Sequence, residues 1–389
     1  MPSVIEITKK LNKQFQDNNL AVKANVTPEY ERMPTGAFGL DYPLYGGLPL
    51  GRICTFAGLF HSGKTVAACV AMAAYQRRFP DSMCVYVDLE HSLDLKFQTR
   101  MTGLNTEKMI YVNPTNMTGE QVLDSILEFQ QCDDIGMIVL DSIPALQPAA
   151  SVENDMTKDP GMRGTIAKSL HRFLVAMSNL VNRKENIFIM VNQVRVSGTT
   201  FTGAPIYSEP GGQAPQYYSS VKVRFGTRTF IKGDKVDLSD GEGAEGFRLK
   251  FAITKQKCGP IARGGGFLSF NYDKGLMWLD DLLEIAYKFD FIKRINNITY
   301  QLVNLETGEI YTDENGKELT GKRKDLENYI RTNIEFQNKY ITMLNKYITA
   351  TEESYGNVLD ARDQAEIKCQ EESVEATLQQ AHPEMAETK

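Results

Sequence analysis

The segment GLFHSGKT at residues 58–65 constrains the fold more than any other feature, because it fits the pattern GxxxxGK[ST]. A short apolar run, ICTFAG, leads into it, and a segment of helical spacing, VAACVAMAAYQRRF, follows it. A glycine-rich turn between a strand and a helix lets backbone N–H groups point at phosphate oxygens at the helix N-terminus. A chance glycine-rich turn does not explain this flanking pattern, so the segment predicts a phosphate-binding loop.

Within this loop, Lys64 is expected to neutralise the β- and γ-phosphates of a nucleotide, and the Thr65 hydroxyl to ligate Mg²⁺. The candidate nucleotide-binding residues of the loop and the first helical turn are Gly58, His61, Ser62, Gly63, Lys64, Thr65 and Val66.

The rest of the chain alternates short apolar runs with helical spacing. CVYVDLE, MIVLDS and IFIMVNQV are typical of strands buried on both faces of a parallel sheet, and EQVLDSILEFQQ and GTIAKSLHRFLVAMSNLVNR are typical of helices. From Tyr217 onward, VKVRFG, RLKFAITKQK and GFLSFNY indicate an antiparallel extension of the sheet. After about Trp278 we expect a small mixed segment, with a hairpin at TGEIYTDENGKEL and then a helix. The pattern predicts an α/β fold: a mostly parallel twisted sheet flanked by helices, with an antiparallel extension.

Polar side chains lie at or just after the ends of three predicted strands, at the edge of the sheet where the phosphate loop begins. MIVLDS ends in Asp141 and Ser142, and Asp141 could hold the metal, although taken alone it could cap a helix. Glu90 follows CVYVD and could activate the attacking water, or it could be a solvated loop acid. Gln193 ends IFIMVNQ and could sense the γ-phosphate, or it could be a buried amide that satisfies the backbone.

Charge is distributed unevenly along the chain. The formal net charge is −6, but residues 351–389 contain ten acids and three bases, a net of −7, so residues 1–350 carry +1. The acidic end predicts a disordered, solvated tail, or alternatively a tail that competes with DNA phosphates for basic surface. We find no signal peptide, no apolar run long enough for a bilayer and no paired cysteines, so we expect a cytoplasmic protein without membrane association, disulfides or zinc.

The run MPTGAFGLDYPLYGGLPLGRICTFAGLFHSGKT resembles the start of the ATPase core of the RecA family of DNA recombinases, which includes bacterial RecA and its phage relatives of the UvsX type. The resemblance continues in the same order through VYVDLEHSLD, MIVLDSIPAL, VNQVR, GGQAPQYYSSVKVR and TKQK, over roughly residues 10–290. It implies a strand-exchange recombinase that uses ATP and Mg²⁺ and forms helical filaments on single-stranded DNA. It also implies pairing with double-stranded DNA, and single-stranded-DNA-binding and mediator proteins as candidate partners.

Carried over by position, the resemblance assigns roles to residues that the pattern alone left open. It implies Lys64 and Thr65 at phosphate and metal, Asp141 at magnesium, Glu90 as the catalytic carboxylate and Gln193 as the switch. It also implies that Phe97 stacks on adenine with Asp94 nearby.

Two loops gain a function from the resemblance, because in this family they line the filament axis and hold DNA. Here they are SVENDMTKDPGMRG and RVSGTTFTGAPIYSEPGGQ. Cationic side chains would contact phosphates, glycines would let backbone N–H groups approach, and apolar side chains would wedge between bases or else pack under the loop. The candidate DNA-binding residues are Met162, Arg163, Gly164, Lys168, Arg195, Phe201, Gly211 and Gly212.

The resemblance also implies contacts between subunits. Lys255 and Lys257 would reach the ATP of the neighbouring subunit, although alternating lysines on a strand usually form a solvated face. Tyr217 would lie on the same interface. An N-terminal helix would dock on the next protomer through Ile5, Leu11 and Phe15.

We therefore expect an oligomerisation arm at residues 1–33, the ATPase core at 34–278, a small C-terminal domain at 279–350 and the acidic tail at 351–389. Two rival functions remain at this point. A hexameric helicase would share the phosphate loop, Glu90 and Asp141, but would not be expected to carry GGQAPQYYSSVK and TKQK together. A non-catalytic, filament-forming regulator would be expected to have lost a catalytic position, and none is replaced.

Overall fold

A computed structural model describes residues 3–15, 30–149, 165–199, 201–202, 205–233, 235–237, 241–259, 261–304 and 306–349. The chain divides into the units Met1–Glu31 and Arg32–Lys389. In the first unit, helix α1 (Val4–Phe15) begins with a reciprocal cap, because the Ser3 N–H donates to Glu6 Oε2 at 2.8 Å and the Glu6 N–H to Ser3 Oγ at 3.2 Å. Ile5 on this helix is exposed and Leu11 is half-buried, whereas the side chain of Phe15 lies outside the described residues.

The second unit is built on a ten-stranded sheet with the order β14-β13-β12-β10-β3-β7-β6-β4-β5, in which β11 pairs with β10. Its strands are β3 (Arg52–Gly58), β4 (Met83–Asp88), β5 (Met109–Val112), β6 (Ile135–Asp141), β7 (Ile187–Gln193), β10 (Val221–Lys232), β11 (Lys235–Asp237), β12 (Gly246–Gln256), β13 (Gly265–Asn271) and β14 (Gly275–Leu276). The six strands β5, β4, β6, β7, β3 and β10 run parallel, and β11 to β14 extend them antiparallel. The predicted parallel strands and antiparallel extension are confirmed.

Helices cover both faces of the parallel strands. They are α3 (Lys64–Arg78), α4 (Leu95–Thr102), α5 (Gly119–Gln131) and α6 (Thr165–Lys184). On β3, Cys54 and Phe56 belong to the apolar core that contains α3, whereas Ile53 belongs to the core that contains α5 and α6. Successive side chains on a strand point to opposite faces, so a central strand needs apolar residues at every position, as ICTFAG has.

Short elements lead into the sheet and follow it. They are β1 (Arg32–Met33), α2 (Phe38–Asp41), β2 (Leu48–Pro49), α7 (Ala214–Tyr218) and the two strands β8 (Arg195–Thr199) and β9 (Pro205–Ser208), with single 3₁₀ turns at Thr106–Lys108 and Ile143–Ala145. Strands β8 and β9 pair antiparallel as a separate ribbon. The sequence predicted a loop there, because RVSGTT lacks the apolar side chains of a buried strand.

The C-terminal segment has its own apolar core. It contains α8 (Trp278–Lys288), β15 (Ile292–Arg294), β16 (Thr299–Leu302), β17 (Thr320–Lys322), α9 (Arg323–Thr332) and α10 (Ile334–Thr349). The predicted hairpin is present as a tight turn closed by the Thr312–Glu318 bridge. The prediction of a single helix after it was wrong: Asn333 separates two helices, and its Oδ1 accepts the Phe336 N–H at 2.9 Å. Within the described part of the chain, no helix is both long and apolar enough to cross a membrane.

Candidate functional site

The phosphate loop connects β3 to α3, and its backbone requires glycine. Gly63 has a φ of 80°, and a Cβ atom built there would lie 2.4 Å from Leu249 Cδ1. A Cβ at Gly58 would lie 2.7 Å from the carbonyl oxygen of Phe225. His61 also has a positive φ, 55°, which is uncommon for a residue other than glycine. The β10 and β12 side of the sheet therefore fixes the shape of the loop by direct contact.

Lys64 is the first residue of α3, and its side chain returns into the loop. Its Nζ donates to the Leu59 carbonyl at 2.8 Å and to Ser62 Oγ at 3.4 Å. Burial lowers the pKa of Lys64, while the negative charges of Asp141 and Glu90 oppose this shift. The loop thus contains a buried cation close to two carboxylates.

Asp141 lies at the end of β6, directly beside the loop. Its Oδ2 accepts the Thr65 hydroxyl at 2.7 Å and the Tyr86 hydroxyl at 2.6 Å. Burial raises the pKa of Asp141 to about 6, and the hydrogen bonds from Tyr86 and Thr65 oppose this rise. Ser142, not Asp141, holds the N-cap position of the following 3₁₀ turn, so the alternative of an ordinary helix cap is not what the structure contains.

Glu90 lies in the turn after β4 and contacts Gln193. Its Oε1 accepts the Gln193 side-chain amide at 3.1 Å and also the Ser142 hydroxyl. The turn is anchored by buried Asp88, whose Oδ2 accepts the Leu93 N–H at 3.0 Å. The Gln193 amide therefore bonds the carboxylate that the sequence selected as a catalytic candidate, and Glu90 is more than a solvated loop acid.

Strand register explains why these side chains meet. Gly58 on β3 pairs with Gln193 on β7, and Asp88 on β4 pairs with Asp141 on β6. The N–H of Val194, one residue beyond β7, donates to the Gly58 carbonyl at 3.0 Å. Parallel strands end at one edge of the sheet, so four strand ends bring their polar residues to the start of the phosphate loop.

Of the remaining nucleotide candidates, Ser62 and Val66 are buried, and Asp94 and Phe97 lie at the start of α4. Asp94 is the N-cap of that helix, and its Oδ1 accepts the Phe97 N–H at 3.0 Å. Phe97 is half-buried against the core that α3 also joins. Their assignment to the adenine ring stays a prediction.

The DNA-binding candidates are only partly described. Met162, Arg163 and Gly164 lie outside the described residues, and Lys168 is exposed on α6. Arg195 is exposed at the start of β8, and Phe201, between β8 and β9, is fully exposed, so it does not pack under the ribbon. The backbone after the ribbon takes a left-handed course, with φ 94° at Gly211 and 73° at Gly212.

The interface candidates form a second cluster away from the phosphate loop. Lys255 Nζ donates to the Gln216 and Tyr217 carbonyls, and Lys257 Nζ donates to the Tyr217 carbonyl at 2.7 Å. Burial, followed by the positive charges of Lys257 and Lys222, lowers the pKa of Lys255 to about 8. The Tyr217 ring is 65% exposed. Two lysines that repel each other beside an exposed ring form a surface suited to an anionic partner.

Sequence reasoning missed Tyr86 and the hydrogen bond from Ser142. Tyr86 and Asp88 are two residues apart on β4 and therefore point to the same face of the sheet, which is a signal that the sequence did contain. That the neighbouring strand would place Asp141 within 2.6 Å of the Tyr86 hydroxyl depends on sheet order, which the sequence does not give.

Together, the parallel sheet and the strand–loop–helix unit define the phosphate-binding-loop class of α/β proteins. Residues 3–276 match the sequence profile of the RecA N-terminal domain family. Protein RecA of Wolbachia sp. subsp. Brugia malayi is 30% identical over 322 residues, which cover 82% of each chain. Protein RecA of Bdellovibrio bacteriovorus is 31% identical over 288 residues, which cover 73% of this chain and 72% of that one.

A solved structure of the RadB recombinase matches 63% of this chain and 98% of its own, with 21% identity and a TM-score of 0.43. The family match and the relatives show that the chain belongs to the RecA family of recombinases, which act in homologous recombination and DNA repair. The resemblance stated from the sequence is confirmed, and so is the RecA-like α/β core.

Proposed function

We propose that this protein hydrolyses ATP, forms helical filaments on single-stranded DNA and pairs that strand with a matching duplex. The observation that carries the proposal is the convergence of Lys64, Thr65, Asp141, Glu90 and Gln193 at one edge of the sheet, where Thr65 donates to Asp141 and Gln193 donates to Glu90. Charged groups can also cluster in ion-pair networks that serve only the structure. Here, however, the cluster surrounds a loop whose backbone requires glycine at positions 58 and 63.

The residues at this edge fit a magnesium–nucleotide complex. Thr65 and Asp141 supply a hydroxyl and a carboxylate 2.7 Å apart, which are oxygen ligands of the kind that Mg²⁺ prefers. Lys64 would bind the β- and γ-phosphates in exchange for its contacts with Leu59 and Ser62. When bound, Mg²⁺ neutralises phosphate charge.

Glu90 would orient the attacking water and accept its proton, a role that suits a carboxylate held by neighbouring side chains. Gln193 would report the state of the γ-phosphate by exchanging its hydrogen bond to Glu90 for one to phosphate. Val194 alone separates Gln193 from Arg195, so such a change would act directly on the exposed ribbon that carries the DNA candidates.

Sheet register supports a role for Lys255 and Lys257 in a neighbouring subunit. Lys255 pairs with Lys222, and Lys222 pairs with Thr55 on β3. Gly58 lies three residues farther along β3, about 10 Å away at the rise of a strand. The lysines contact carbonyls of residues that precede β10, at the end of the sheet where β10 and the parallel strand β3 begin. The phosphate loop of the same chain follows β3 and therefore lies at the opposite end of the sheet. They would therefore complete the site of another copy of the chain.

The proposal includes a cytoplasmic location and, as further partners, double-stranded DNA and single-stranded-DNA-binding and mediator proteins. It is tested by electron microscopy of the protein with a non-hydrolysable ATP analogue, with and without single-stranded DNA, followed by a strand-exchange assay. We expect helical filaments on the DNA and exchange that requires ATP. Closed rings that unwind duplex would favour a hexameric helicase, and filaments without DNA-stimulated ATPase would favour a regulator.

A further inference from the structure

An open cleft of about 560 Å³ lies between the ATPase core and the C-terminal segment, far from the phosphate loop. It is lined by three cationic side chains, Arg77, Arg100 and Lys274, and by two aromatic ones, Phe38 and Trp278. This volume lies within the range of roughly 300–1,000 Å³ that small-molecule sites occupy. The cleft is therefore large enough for a ligand of nucleotide size.

The three cations are exposed to solvent at the cleft. Within the described part of the chain, none of them forms an ion pair with a carboxylate. Partial burial lowers the pKa of Arg77, with no charged neighbour contributing. Its guanidinium lies beside the backbone of Gly36 and Gly103, because Cβ atoms built at these positions would be 3.6 Å from its terminal nitrogens. A planar guanidinium held in this way presents its donors to a phosphate in the bidentate geometry that arginine favours.

The aromatic side chains add a second kind of recognition. The rings of Phe38 and Trp278 are 6.2 Å apart and inclined at 48°, and both border the cleft. A nucleobase has an aromatic face that stacks on such rings, a contact worth about 1–3 kcal/mol per base. Cations beside aromatic rings match a ligand that carries a phosphate and a base together.

This cleft is separate from the phosphate end of the ATP site proposed above, whereas the adenine candidate Phe97 lies beside it, with the Arg100 guanidinium 6.0 Å from the centroid of its ring. Helix α3 begins at Lys64 in the phosphate loop, and Arg77 lies in its last turn. Thirteen residues of helix correspond to about 20 Å. A ligand of nucleotide size cannot occupy both ends of this helix.

We propose that the cleft binds a nucleoside phosphate unit, with Arg77, Arg100 and Lys274 on the phosphate and Trp278 against the base. The unit can belong to a free nucleotide or to a DNA strand. Both sources offer the same chemistry, and the experiment separates them.

Trp278 is the only tryptophan of the chain, so its fluorescence reports on the cleft. The full-length protein, its ATP site saturated with ADP and Mg²⁺, is titrated with dTMP, with a dithymidylate carrying a 5′-phosphate, and with inorganic phosphate. We expect saturable quenching by dTMP or the dinucleotide, and weaker binding of phosphate alone. Preference for dTMP identifies a free nucleotide, and a clear preference for the dinucleotide identifies a strand.

Arg77→Gln and Lys274→Gln should each weaken the binding about tenfold, the loss expected for one charge-assisted hydrogen bond to phosphate. Lys293→Gln is the matched control, because Lys293 is an exposed lysine of β15 that does not line the cleft. ATP turnover should stay at the parent level in all three variants, which shows that they are folded. Absence of quenching, equal affinity for inorganic phosphate, or full affinity in Arg77→Gln would each overturn the proposal.

Discussion

At the scale of single residues, the carboxylate of Asp141 is held from two sides. Tyr86 and Thr65 both donate to the same carboxylate oxygen of Asp141, Oδ2. Neither of these two hydrogen bonds uses the other carboxylate oxygen, Oδ1. The Thr65 hydroxyl must turn away from Asp141 if it ligates Mg²⁺, whereas Tyr86 can keep its bond. Tyr86 is therefore expected to hold the carboxylate in one orientation throughout the reaction.

Replacement of Tyr86 by phenylalanine tests this positioning role. The variant loses one buried hydrogen bond and keeps the ring, so we expect the Mg²⁺ concentration at half-maximal ATP turnover to rise about two- to tenfold, corresponding to about 0.5–1.5 kcal/mol. Turnover at saturating Mg²⁺ should change little. Tyr111→Phe is the control, because the Tyr111 hydroxyl bonds Asp88 instead, at 2.9 Å. The same Mg²⁺ dependence in both variants would contradict the assignment.

Lys64→Ala should abolish ATP turnover, because the buried ammonium group is needed where phosphate charge accumulates. Turnover is measured with a coupled ATPase assay in the presence of single-stranded DNA. Lys250→Ala serves as the control, since Lys250 is exposed on β12. Parent-level turnover in Lys64→Ala would remove this loop from the active site.

Glu90→Gln should separate binding from hydrolysis. The amide keeps the size and the hydrogen-bonding position of Glu90 but cannot accept the proton of water, so turnover should fall about 10²- to 10⁴-fold. ATP affinity should be retained, and filaments should persist on DNA. Equilibrium binding of a fluorescent ATP analogue checks this, with Glu128→Gln on α5 as the control. Lost nucleotide affinity would show that the contacts of Glu90 with Ser142 and Gln193 serve the structure of the site instead.

At the scale of elements, the sequence predicted the positions of the strands in the chain well, but it did not predict which strands lie side by side in the sheet. ICTFAG, MIVLDS and IFIMVNQV are apolar at nearly every position, because they are buried on both faces, and this marks them as central strands. Gly58, Asp141 and Gln193 could therefore be placed at strand ends without a structure. Their partners could not, because the pairing of Gly58 with Gln193 depends on which strands lie side by side. The β8–β9 ribbon was missed because it is exposed and has no apolar face.

Two elements from different subunits should form each active site, and a mixing experiment tests this. Lys64→Ala has an inactive phosphate loop with intact Lys255 and Lys257, whereas the double variant Lys255→Gln/Lys257→Gln has the reverse. Each alone should be inactive. Mixed filaments should regain part of the DNA-dependent ATPase, because some interfaces join an intact loop to intact lysines. A double variant with parent activity would mean that these lysines are only a solvated face.

At the scale of the whole molecule, charge separates the chain into a nearly neutral body and an acidic end. Residues 351–389 carry −7 and residues 1–350 carry +1. An anionic segment near basic surface competes with DNA phosphates and lowers the apparent affinity for DNA without altering specific contacts.

Truncation before Thr351 should therefore strengthen binding to duplex DNA, and the gain should shrink as salt rises. Intrinsic ATP hydrolysis should stay nearly unchanged, because no residue assigned to the nucleotide site lies beyond Lys257. Fluorescence anisotropy of full-length and truncated protein across a salt series measures the difference. Equal affinities at low salt would identify the tail as a solvated end.

The connection between Gln193, at the end of β7, and the exposed ribbon is one residue long. Val194 is buried, and its N–H donates a hydrogen bond to the Gly58 carbonyl. The backbone between Gln193 and Arg195 is therefore held in place. The communication proposed above would need no linker to fold or melt, because a change in backbone direction at Gln193 would be passed directly to Arg195. The connection through Val194 should also tolerate no inserted residue. One added residue would turn every side chain of β8 to the opposite face of the ribbon and point Arg195 away from whatever it binds.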